Sequence, residues 1–153
     1  MPTVGIISDT HGRISDDALE ALSNVDHIIH AGDIGAQSVL LELEALAPTT
    51  AVLGNNDIYT DYGPGVKDHA VRTIGGVRLF VSHYPKDAER AADSGEYDLA
   101  IHGHTHVPRD EMRGDCRIIN PGGAFRPRGG SKRSIAIVEL EDGKVGPVRT
   151  VLV

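Results

Sequence analysis

The chain has a single cysteine and fewer basic than acidic residues, and each of these shortages excludes or disfavours certain classes of function. Its one cysteine, Cys116, excludes an internal disulfide framework and any metal site or iron–sulfur cluster built from several cysteines. The 15 Lys and Arg residues against 22 Asp and Glu residues give a formal net charge of -7. That balance argues against nucleic-acid binding through a basic face.

Long hydrophobic runs are also missing. No apolar stretch approaches the ~20 residues that a helix needs to span a bilayer. No basic segment precedes the first apolar residues, so we expect no signal peptide. With 153 residues, of which 40% are hydrophobic and 24% charged, the composition predicts one packed domain over residues 1–153. We expect a soluble cytoplasmic protein.

The first half of the chain alternates between strand-like and helix-like patterns. Short β-rich runs predict three strands, at residues 3–8, 26–30 and 49–53. One helix is expected after Ser15, which can cap it, and another over residues 37–47, which Pro48 stops. This β-α-β-α-β order predicts right-handed crossovers and a parallel sheet.

The second half carries turn signals that are typical of hairpins. Strand pairs are predicted around Gly75-Gly76, Gly114 and Asp142-Gly143. A short helix over residues 87–93 and a strand over residues 98–102 lie between the first two hairpins. Pro147 is expected to place the last strand at a sheet edge. The pattern alone therefore predicts an α/β fold with a parallel half and a largely antiparallel half.

Residues that can hold a metal ion follow several of these strands directly. They are Asp9, His11, Asp33, Asn55, His83, His104 and His106. Sites in parallel α/β sheets assemble at the carboxyl ends of strands, so we expect these loops to converge. Imidazole, carboxylate and amide groups without thiolate suit Mn, Fe, Co, Ni or Zn ions. Seven such groups exceed the needs of one tetrahedral ion and match two ions that share a bridging carboxylate.

The order of these motifs resembles that of the calcineurin-like metallophosphoesterases, and most closely their small phosphodiesterase branch related to YfcE. The motifs are Asp9-x-His11, Gly32-Asp33, Gly54-Asn55-Asn56-Asp57, His83 and Gly103-His104-Thr105-His106. The resemblance covers essentially the whole chain, and it implies a metallophosphoesterase-type β-sandwich of mixed sheets flanked by helices.

The resemblance also implies a site with two divalent ions per chain. Asp9, His11 and His106 would hold one ion, Asn55, His83 and His104 would hold the other, and Asp33 would bridge them. We expect Mn²⁺ first, with Ni²⁺, Fe²⁺, Co²⁺ and Zn²⁺ as alternatives. A bridging hydroxide is the nucleophile that the family implies, and it attacks phosphorus in line. The catalytic candidates are Asp33, Asn56 and His11.

Asn56 departs from the family pattern. Many relatives carry a histidine at this position, where it protonates the leaving group or contacts the phosphate. The Asn56 amide does not titrate near neutral pH and cannot act as a general acid. We therefore expect slow turnover of substrates with poor leaving groups.

Other polar residues near the motifs receive supporting or substrate-binding roles. Arg126 and Arg128 are the candidates for substrate binding, because guanidinium groups suit bidentate phosphate contacts. We expect Asp57 to support the ligands or to serve as a turn residue, rather than to bind metal. For His30 and His102 we expect packed positions or support of the ligands, again rather than metal binding. Cys116 is expected to be buried.

The function that this pattern predicts is hydrolysis of phosphodiester bonds in a small phosphoester substrate. One alternative is a phosphomonoesterase or nucleotidase with the same metal site. Another is a non-enzymatic interaction scaffold similar to Vps29, which resembles this branch. Relatives are often oligomers, so a homo-oligomer is a further expectation.

Overall fold

The structure is a computed structural model that describes residues 2–125 and 130–153, and these residues form ten strands and three helices. The strands are β1 (Thr3–Ile7), β2 (His27–His30), β3 (Thr49–Ala51), β4 (His69–Ile74), β5 (Val77–Ser82), β6 (Leu99–Ile101), β7 (Arg109–Arg113), β8 (Cys116–Asn120), β9 (Ser134–Glu141) and β10 (Lys144–Leu152). The helices are α1 (Asp16–Ala21), α2 (Gln37–Glu44) and α3 (Pro85–Asp93). No helix in the described part of the chain is long and apolar enough to cross a membrane.

The first sheet has the strand order β10-β9-β1-β2-β3. Its centre is parallel, because Ile6 of β1 pairs with Ile29 of β2, and β2 pairs in parallel with β3. The predicted β-α-β-α-β unit is therefore confirmed. On its other side β1 pairs with β9 in the antiparallel direction, so the hairpin β9–β10 completes the sheet that the N-terminal strands begin.

The second sheet has the order β4-β5-β6-β8-β7, with parallel pairs in the middle and antiparallel pairs at both ends. All three predicted hairpins are confirmed. The parallel first half is confirmed, because β1, β2 and β3 pair in parallel. The second half contains more parallel pairing than predicted, because β5, β6 and β8 also pair in parallel. Turn signals report only pairs that are close in sequence, whereas β5, β6 and β8 become neighbours through longer connections. The sandwich of mixed sheets that the resemblance implies is confirmed.

The two sheets pack face to face, and helices cover both outer faces. Ile6 and Leu79 belong to the apolar cluster between the sheets, where alternate residues of the strands meet. Leu22 and Leu43 of the first two helical segments pack on the outer face of the first sheet. Three alanines of α3 pack against the second sheet. Each fully buried Leu or Ile side chain stabilises the fold by roughly 1.5–3 kcal/mol relative to exposure.

Local signals set most element boundaries. Ser15 is the N-cap of α1, as predicted, and its Oγ accepts a hydrogen bond from the Ala18 N–H at 3.1 Å. Helix α3 begins at Pro85, two residues before the predicted start, because proline suits the first helical position. Strand β10 is an edge strand, and its register shifts between Val145 and Val148, the segment that contains Pro147. The predicted effect of that proline is therefore confirmed.

Candidate metal centre

Loops that follow the parallel strands are joined to each other by backbone hydrogen bonds. The N–H of Asp9 donates to the carbonyl of Gly32 at 3.0 Å, which ties the loop after β1 to the loop after β2. The N–H of Gly103 donates to the carbonyl of His83 at 3.1 Å, which ties the loops after β5 and β6 in the same way. The loops after β1 and β2 are therefore joined at the end of the first sheet, and the loops after β5 and β6 at the end of the second.

Two further bonds join these paired loops across the sandwich. His83 Nδ1 lies 2.7 Å from the carbonyl oxygen of Ala31, which follows β2. The backbone N–H of His104 donates to Asp9 Oδ2 at 3.2 Å. Both sheets thus contribute to one site, and the structure brings together all seven residues that the sequence proposed as metal ligands.

One cluster of potential ligand atoms lies on the side of the loop after β1. Asp9, His11, Asp33 and His106 each offer one such atom, and these atoms lie within 4.8 Å of one another. His106 Nε2 is 3.1 Å from Asp9 Oδ1 and 3.3 Å from His11 Nε2. This is the group that the resemblance assigned to one ion, together with Asp33.

The second cluster contains Asn55, His83 and His104. Asn55 Oδ1 lies 3.1 Å from His83 Nε2 and 3.3 Å from His104 Nδ1, and these two nitrogens are 3.3 Å apart. Asp33 Oδ2 is 3.5 Å from His83 Nε2 and 3.8 Å from His11 Nε2, so one carboxylate oxygen faces both clusters.

The Asp9 carboxylate tests whether these residues fit a cation. It is fully buried, and its Oδ2 accepts hydrogen bonds from the Ser8 hydroxyl at 2.7 Å and from the His104 N–H. Its Oδ1 has no hydrogen-bond partner among the described residues. A buried carboxylate oxygen without a partner is costly. Imidazole nitrogens of His106, His83 and His11 surround this oxygen at 3.1, 3.8 and 3.9 Å, so the donor set fits a divalent cation.

The hydrogen bonds of His83 orient its ring for such a role. Because the Ala31 carbonyl only accepts, His83 Nδ1 carries the proton and donates it, and Nε2 points into the site. Burial favours a lower pKa for His83, but the hydrogen bond with Asp33 and the negative charges of Asp9 and Asp33 outweigh it, so the net direction of the pKa is upward. The site is therefore electrostatically receptive to positive charge.

Asp33 remains ionised. Burial favours a higher pKa for its carboxyl group, but the neighbouring His83 imidazole and the hydrogen bonds from Asn56 hold the pKa well below its ordinary value. Asn56 supplies two of these bonds, from its backbone N–H to Oδ1 at 2.9 Å and from its side-chain amide to Oδ2 at 2.9 Å. Asn56 is exposed at the surface of the site, and the structure places it against Asp33.

The backbone of the site is unusual. Five of the seven proposed ligand residues adopt the left-handed conformation: Asp9 (φ 56°), His11 (φ 50°), Asp33 (φ 57°), His104 (φ 73°) and His106 (φ 61°). Only one other non-glycine residue in the described ranges has a positive φ. Each such residue costs roughly 1–2 kcal/mol. The surrounding hydrogen bonds therefore hold the backbone of these residues in a conformation that non-glycine residues disfavour.

Glycines let the loops approach the acidic residues closely. A Cβ atom at Gly54 would lie 2.2 Å from Asp33 Oδ1, and one at Gly103 would lie 2.0 Å from Ser8 Oγ. Both distances are far below van der Waals contact. Gly54 and Gly103 are thus required because there is no space for a side chain.

Asp57 supports the site, as expected, and its contacts show how. Its buried carboxylate accepts N–H bonds from Ile34 at 3.2 Å, Gly35 at 3.1 Å and Gly54 at 2.8 Å. It therefore fastens the loop that carries Asp33 to the loop that carries Asn55.

His30 also occupies a supporting position. The Gly32 N–H donates to His30 Nδ1 at 3.1 Å, while His30 Nε2 lies 3.0 Å from the Thr10 hydroxyl. That hydroxyl donates to the carbonyl of Ile34 at 2.8 Å, so His30 Nε2 is the donor to Thr10. These bonds require a neutral ring. Burial, followed by the neighbouring His83, lowers the pKa of His30 to about 3.

Reasoning from sequence assigned no role to two residues near the site. Asn120 donates from Nδ2 to the Gly103 carbonyl at 3.2 Å and to the Thr105 hydroxyl at 2.9 Å, which holds the loop with the last two histidines. Tyr84 places its ring beside His83 and His104. Their positions at strand ends were the available signal, since Asn120 is the last residue of β8 and Tyr84 lies two residues after β5. Arg126 and Arg128, the proposed substrate-binding residues, lie outside the described residues.

Residues 3–143 match the calcineurin-like phosphoesterase superfamily domain, and the chain belongs to this family. A probable metallophosphoesterase of Methanothermobacter thermautotrophicus is 34% identical over 137 residues, which cover 82% of this chain and 78% of that protein. Phosphodiesterase MJ0936 of Methanocaldococcus jannaschii is 34% identical over 136 residues, which cover 78% of this chain and 82% of the relative. A solved archaeal phosphodiesterase is 30% identical, with a TM-score of 0.82 over 99% of both chains.

These similarities confirm the predicted resemblance. The similarity extends to the branch related to YfcE. Phosphodiesterase YfcE of Escherichia coli strain K12 is 33% identical over 63 residues, which cover 40% of this chain and 34% of that protein. The prediction of a metal-dependent hydrolase of phosphoric esters is confirmed by the family, and the cluster around Asp9 is a candidate place for its metal.

Proposed function

We propose that this protein is a phosphodiesterase that depends on two divalent metal ions. The observation that carries the proposal is the position of Asp33 Oδ2, which lies 3.8 Å from a nitrogen of the first cluster and 3.5 Å from a nitrogen of the second. A carboxylate in that position can bridge two cations, and its charge offsets their mutual repulsion.

Each ion would have its own set of ligands. Asp9, His11 and His106 would hold the first ion, and Asn55, His83 and His104 would hold the second. The amide oxygen of Asn55 adds no negative charge, so the second ion keeps more of its own charge. Mn²⁺ is the ion we would supply first, with Ni²⁺, Fe²⁺, Co²⁺ and Zn²⁺ as alternatives.

When bound, the two ions would supply a hydroxide nucleophile for in-line attack on phosphorus and the positive charge that stabilises the transferring phosphoryl group. The chain itself contributes by orienting the side chains that would hold the ions. Asn56 fixes both oxygens of Asp33, and the Ala31 carbonyl fixes the ring of His83. His11 lies beside Asp33 at the edge of the first cluster, where its imidazole can stabilise negative charge.

Diesters are favoured over monoesters for two reasons. Asn56 offers no titrating group for a dianionic phosphate or for a poor leaving group. Two of the similar proteins, MJ0936 and YfcE, are named phosphodiesterases. Arg126 and Arg128 would add charge beside the substrate phosphate. We therefore propose a small phosphodiester as the substrate.

The first test compares hydrolysis of bis-p-nitrophenyl phosphate and p-nitrophenyl phosphate by the Mn²⁺-loaded protein. Elemental analysis of the same sample should give two ions per chain. His104→Ala should lose activity on the diester, whereas His69→Ala, which removes an exposed histidine paired with Asp68, should keep it. Cleavage mainly of the monoester would favour the phosphomonoesterase alternative. If the wild-type protein neither hydrolyses these esters nor binds metal, the alternative of an interaction scaffold would be favoured.

Asp33→Asn tests the bridging role separately. Because both ions depend on the Asp33 charge, this variant should lose both of them and all measurable activity. His104→Ala removes a ligand of the second ion alone and should retain the first. Two tightly bound ions in Asp33→Asn would contradict the proposal.

A further inference from the structure

Tyr84 lies at the edge of the candidate metal centre, directly after His83. Its ring centroid is 5.2 Å from that of His83, with the planes 82° apart, and 5.4 Å from that of His104, with the planes 55° apart. These are the two imidazoles of the second cluster. The residue remains 37% exposed, so Tyr84 is open to solvent beside the site.

The backbone holds Tyr84 in this position. The residue is the N-cap of α3, in an extended conformation, and Pro85 follows it. Its carbonyl accepts the Ala88 N–H at 3.3 Å, which closes the first turn of the helix. Its own N–H lies 3.4 Å from the Ser82 hydroxyl, which donates to Asp87 at 2.8 Å. Since a tyrosine side chain has only two rotatable angles, little conformational entropy is left to lose on ligand contact.

The chemistry of an open aromatic ring beside a phosphate site selects one class of ligand group. The ring offers an apolar face with a π-system, which favours offset or edge-to-face contact with a second planar ring. It offers no positive charge to a phosphate oxygen. A substrate that places phosphorus at the metal centre would therefore bring one of its ester groups against this ring.

We infer that Tyr84 is a specificity-determining residue that stacks on a planar aromatic group of the phosphoester, and this inference rests on the proposed function. The aromatic group is either an aryl ester or the base of a nucleotide, since both present the same planar π-face. Aliphatic esters of the same size bind without this contact.

A purely structural role for Tyr84 would be to shield His83 from water. A leucine would shield the imidazole about as well as a tyrosine, but it offers no aromatic face. Tyr84→Leu therefore separates the two roles, and Tyr84→Phe keeps the aromatic face while it removes the hydroxyl group.

The experiment measures ligand binding to the Mn²⁺-loaded protein by calorimetry, which does not depend on turnover. Phenyl phosphate is compared with cyclohexyl phosphate, which has the same charge and ring size but no π-system. Adenosine 5′-monophosphate is compared with ribose 5-phosphate to test for a nucleotide base. We expect the aromatic member of at least one pair to bind about fivefold more tightly to the wild type. Tyr84→Phe should keep this preference, and Tyr84→Leu should bring the ratio close to one.

Tyr97→Leu is the matched control. Tyr97 packs against Phe80 at 5.5 Å and precedes β6, at the opposite end of that strand from the metal centre. Its removal should leave both binding ratios unchanged. Metal content is measured for every variant, so that a change in affinity for phosphate is not mistaken for loss of metal.

The outcomes separate the two proposals. A wild type that hydrolyses diesters, but shows the same binding ratios as Tyr84→Leu, overturns the role of Tyr84 and leaves the proposed function intact. A wild type that neither binds metal nor hydrolyses any ester overturns the proposed function, and the role of Tyr84 with it.

Discussion

Arg109 fixes the buried ring of His102: its Nη1 donates to His102 Nε2 at 3.1 Å. Because a guanidinium group has only donors, Nε2 accepts, and the proton of His102 sits on Nδ1, 2.9 Å from the Gly103 carbonyl. Burial is the largest of the effects that lower the pKa of His102, so the ring is neutral. Glu89 accepts from Arg109 Nη2 at 2.9 Å. The loop that leads to His104 is thus braced from the protein surface.

Arg109→Met should weaken metal binding without touching a ligand. His102 Nε2 would lose the hydrogen bond from Arg109, so the ring would no longer be held in place beside the Gly103 carbonyl. The loop with His104 and His106 would then be less well oriented. We expect the affinity for Mn²⁺ to fall about tenfold, which is typical when a residue behind a metal ligand is removed. Titration of the metal-free protein with Mn²⁺ measures this. Arg72→Met, which removes an exposed guanidinium group of β4 that donates to the Val71 carbonyl, is the control. Equal affinities for the two variants would refute the role of Arg109.

Asn56→Ala should lower metal affinity through Asp33. The side-chain amide bond to Oδ2 is lost, while the backbone bond to Oδ1 remains. We expect a decrease of about 10- to 100-fold, with loss of activity in proportion to the metal that is lost. Asn24→Ala, at an exposed asparagine in the turn after α1, is the control. Unchanged affinity in Asn56→Ala would show that the amide bond does not position Asp33.

Asn56→His should change the dependence of the rate on the leaving group. An imidazole at this position can protonate a departing alkoxide, and general acid catalysis contributes roughly 10²–10⁴-fold. Turnover of alkyl esters should therefore rise much more than that of p-nitrophenyl esters, which leave without a proton. Rates are compared at equal metal content. No gain on alkyl esters would contradict the explanation of slow turnover that we attach to Asn56.

The buried, neutral ring of His30 should make the folded protein less stable in acid. Its pKa is lowered to about 3 in the folded protein, first by burial, whereas the unfolded chain takes up a proton near pH 6.5. Between these values the unfolded state binds more protons, so the free energy of unfolding falls as pH falls, by at most ~1.4 kcal/mol per pH unit from this residue. Below pH 3 the dependence should level off.

The measurement is urea unfolding of metal-free protein between pH 7.5 and pH 4. His30→Gln keeps an N–H donor for Thr10 but does not titrate, so its stability should fall less steeply than that of the wild type. Asp33 and the other carboxylates contribute equally to both proteins. Parallel curves for the two proteins would show that His30 is not the source of the acid sensitivity.

Signals that act over a few residues predicted most of the fold. Gly75-Gly76 and Asp142-Gly143 define hairpins because their turns need glycine, and Ser15 starts a helix because its hydroxyl satisfies a free N–H. The neighbours of β1 could not be found in this way. Its pairing with β9 depends on which apolar faces meet across the sandwich, and the pattern within each strand does not encode that choice.

The candidate ligands were predictable because the strand ends and the order of motifs both point to them. The left-handed backbone at Asp9 and Asp33 was not, since aspartate only rarely adopts it and the surrounding bonds impose it. The two hydrogen bonds that Asn56 donates to Asp33 and the ring contacts of Tyr84 were missed for a related reason. They depend on distances between loops, which spacing in the sequence does not give.

The pairing of Ile6 with Ala136 has a consequence for the order of folding. During synthesis β1 leaves the ribosome well before β9, which is one of its two neighbours. Contacts between residues so distant in sequence form slowly, and until then β1 exposes an edge to which other chains can bind. The loop that carries Asp9 and His11 grows from this strand. Metal capture is therefore expected only after β9 has been made, so a nascent chain should be catalytically silent and most prone to aggregation just before its last hairpin forms.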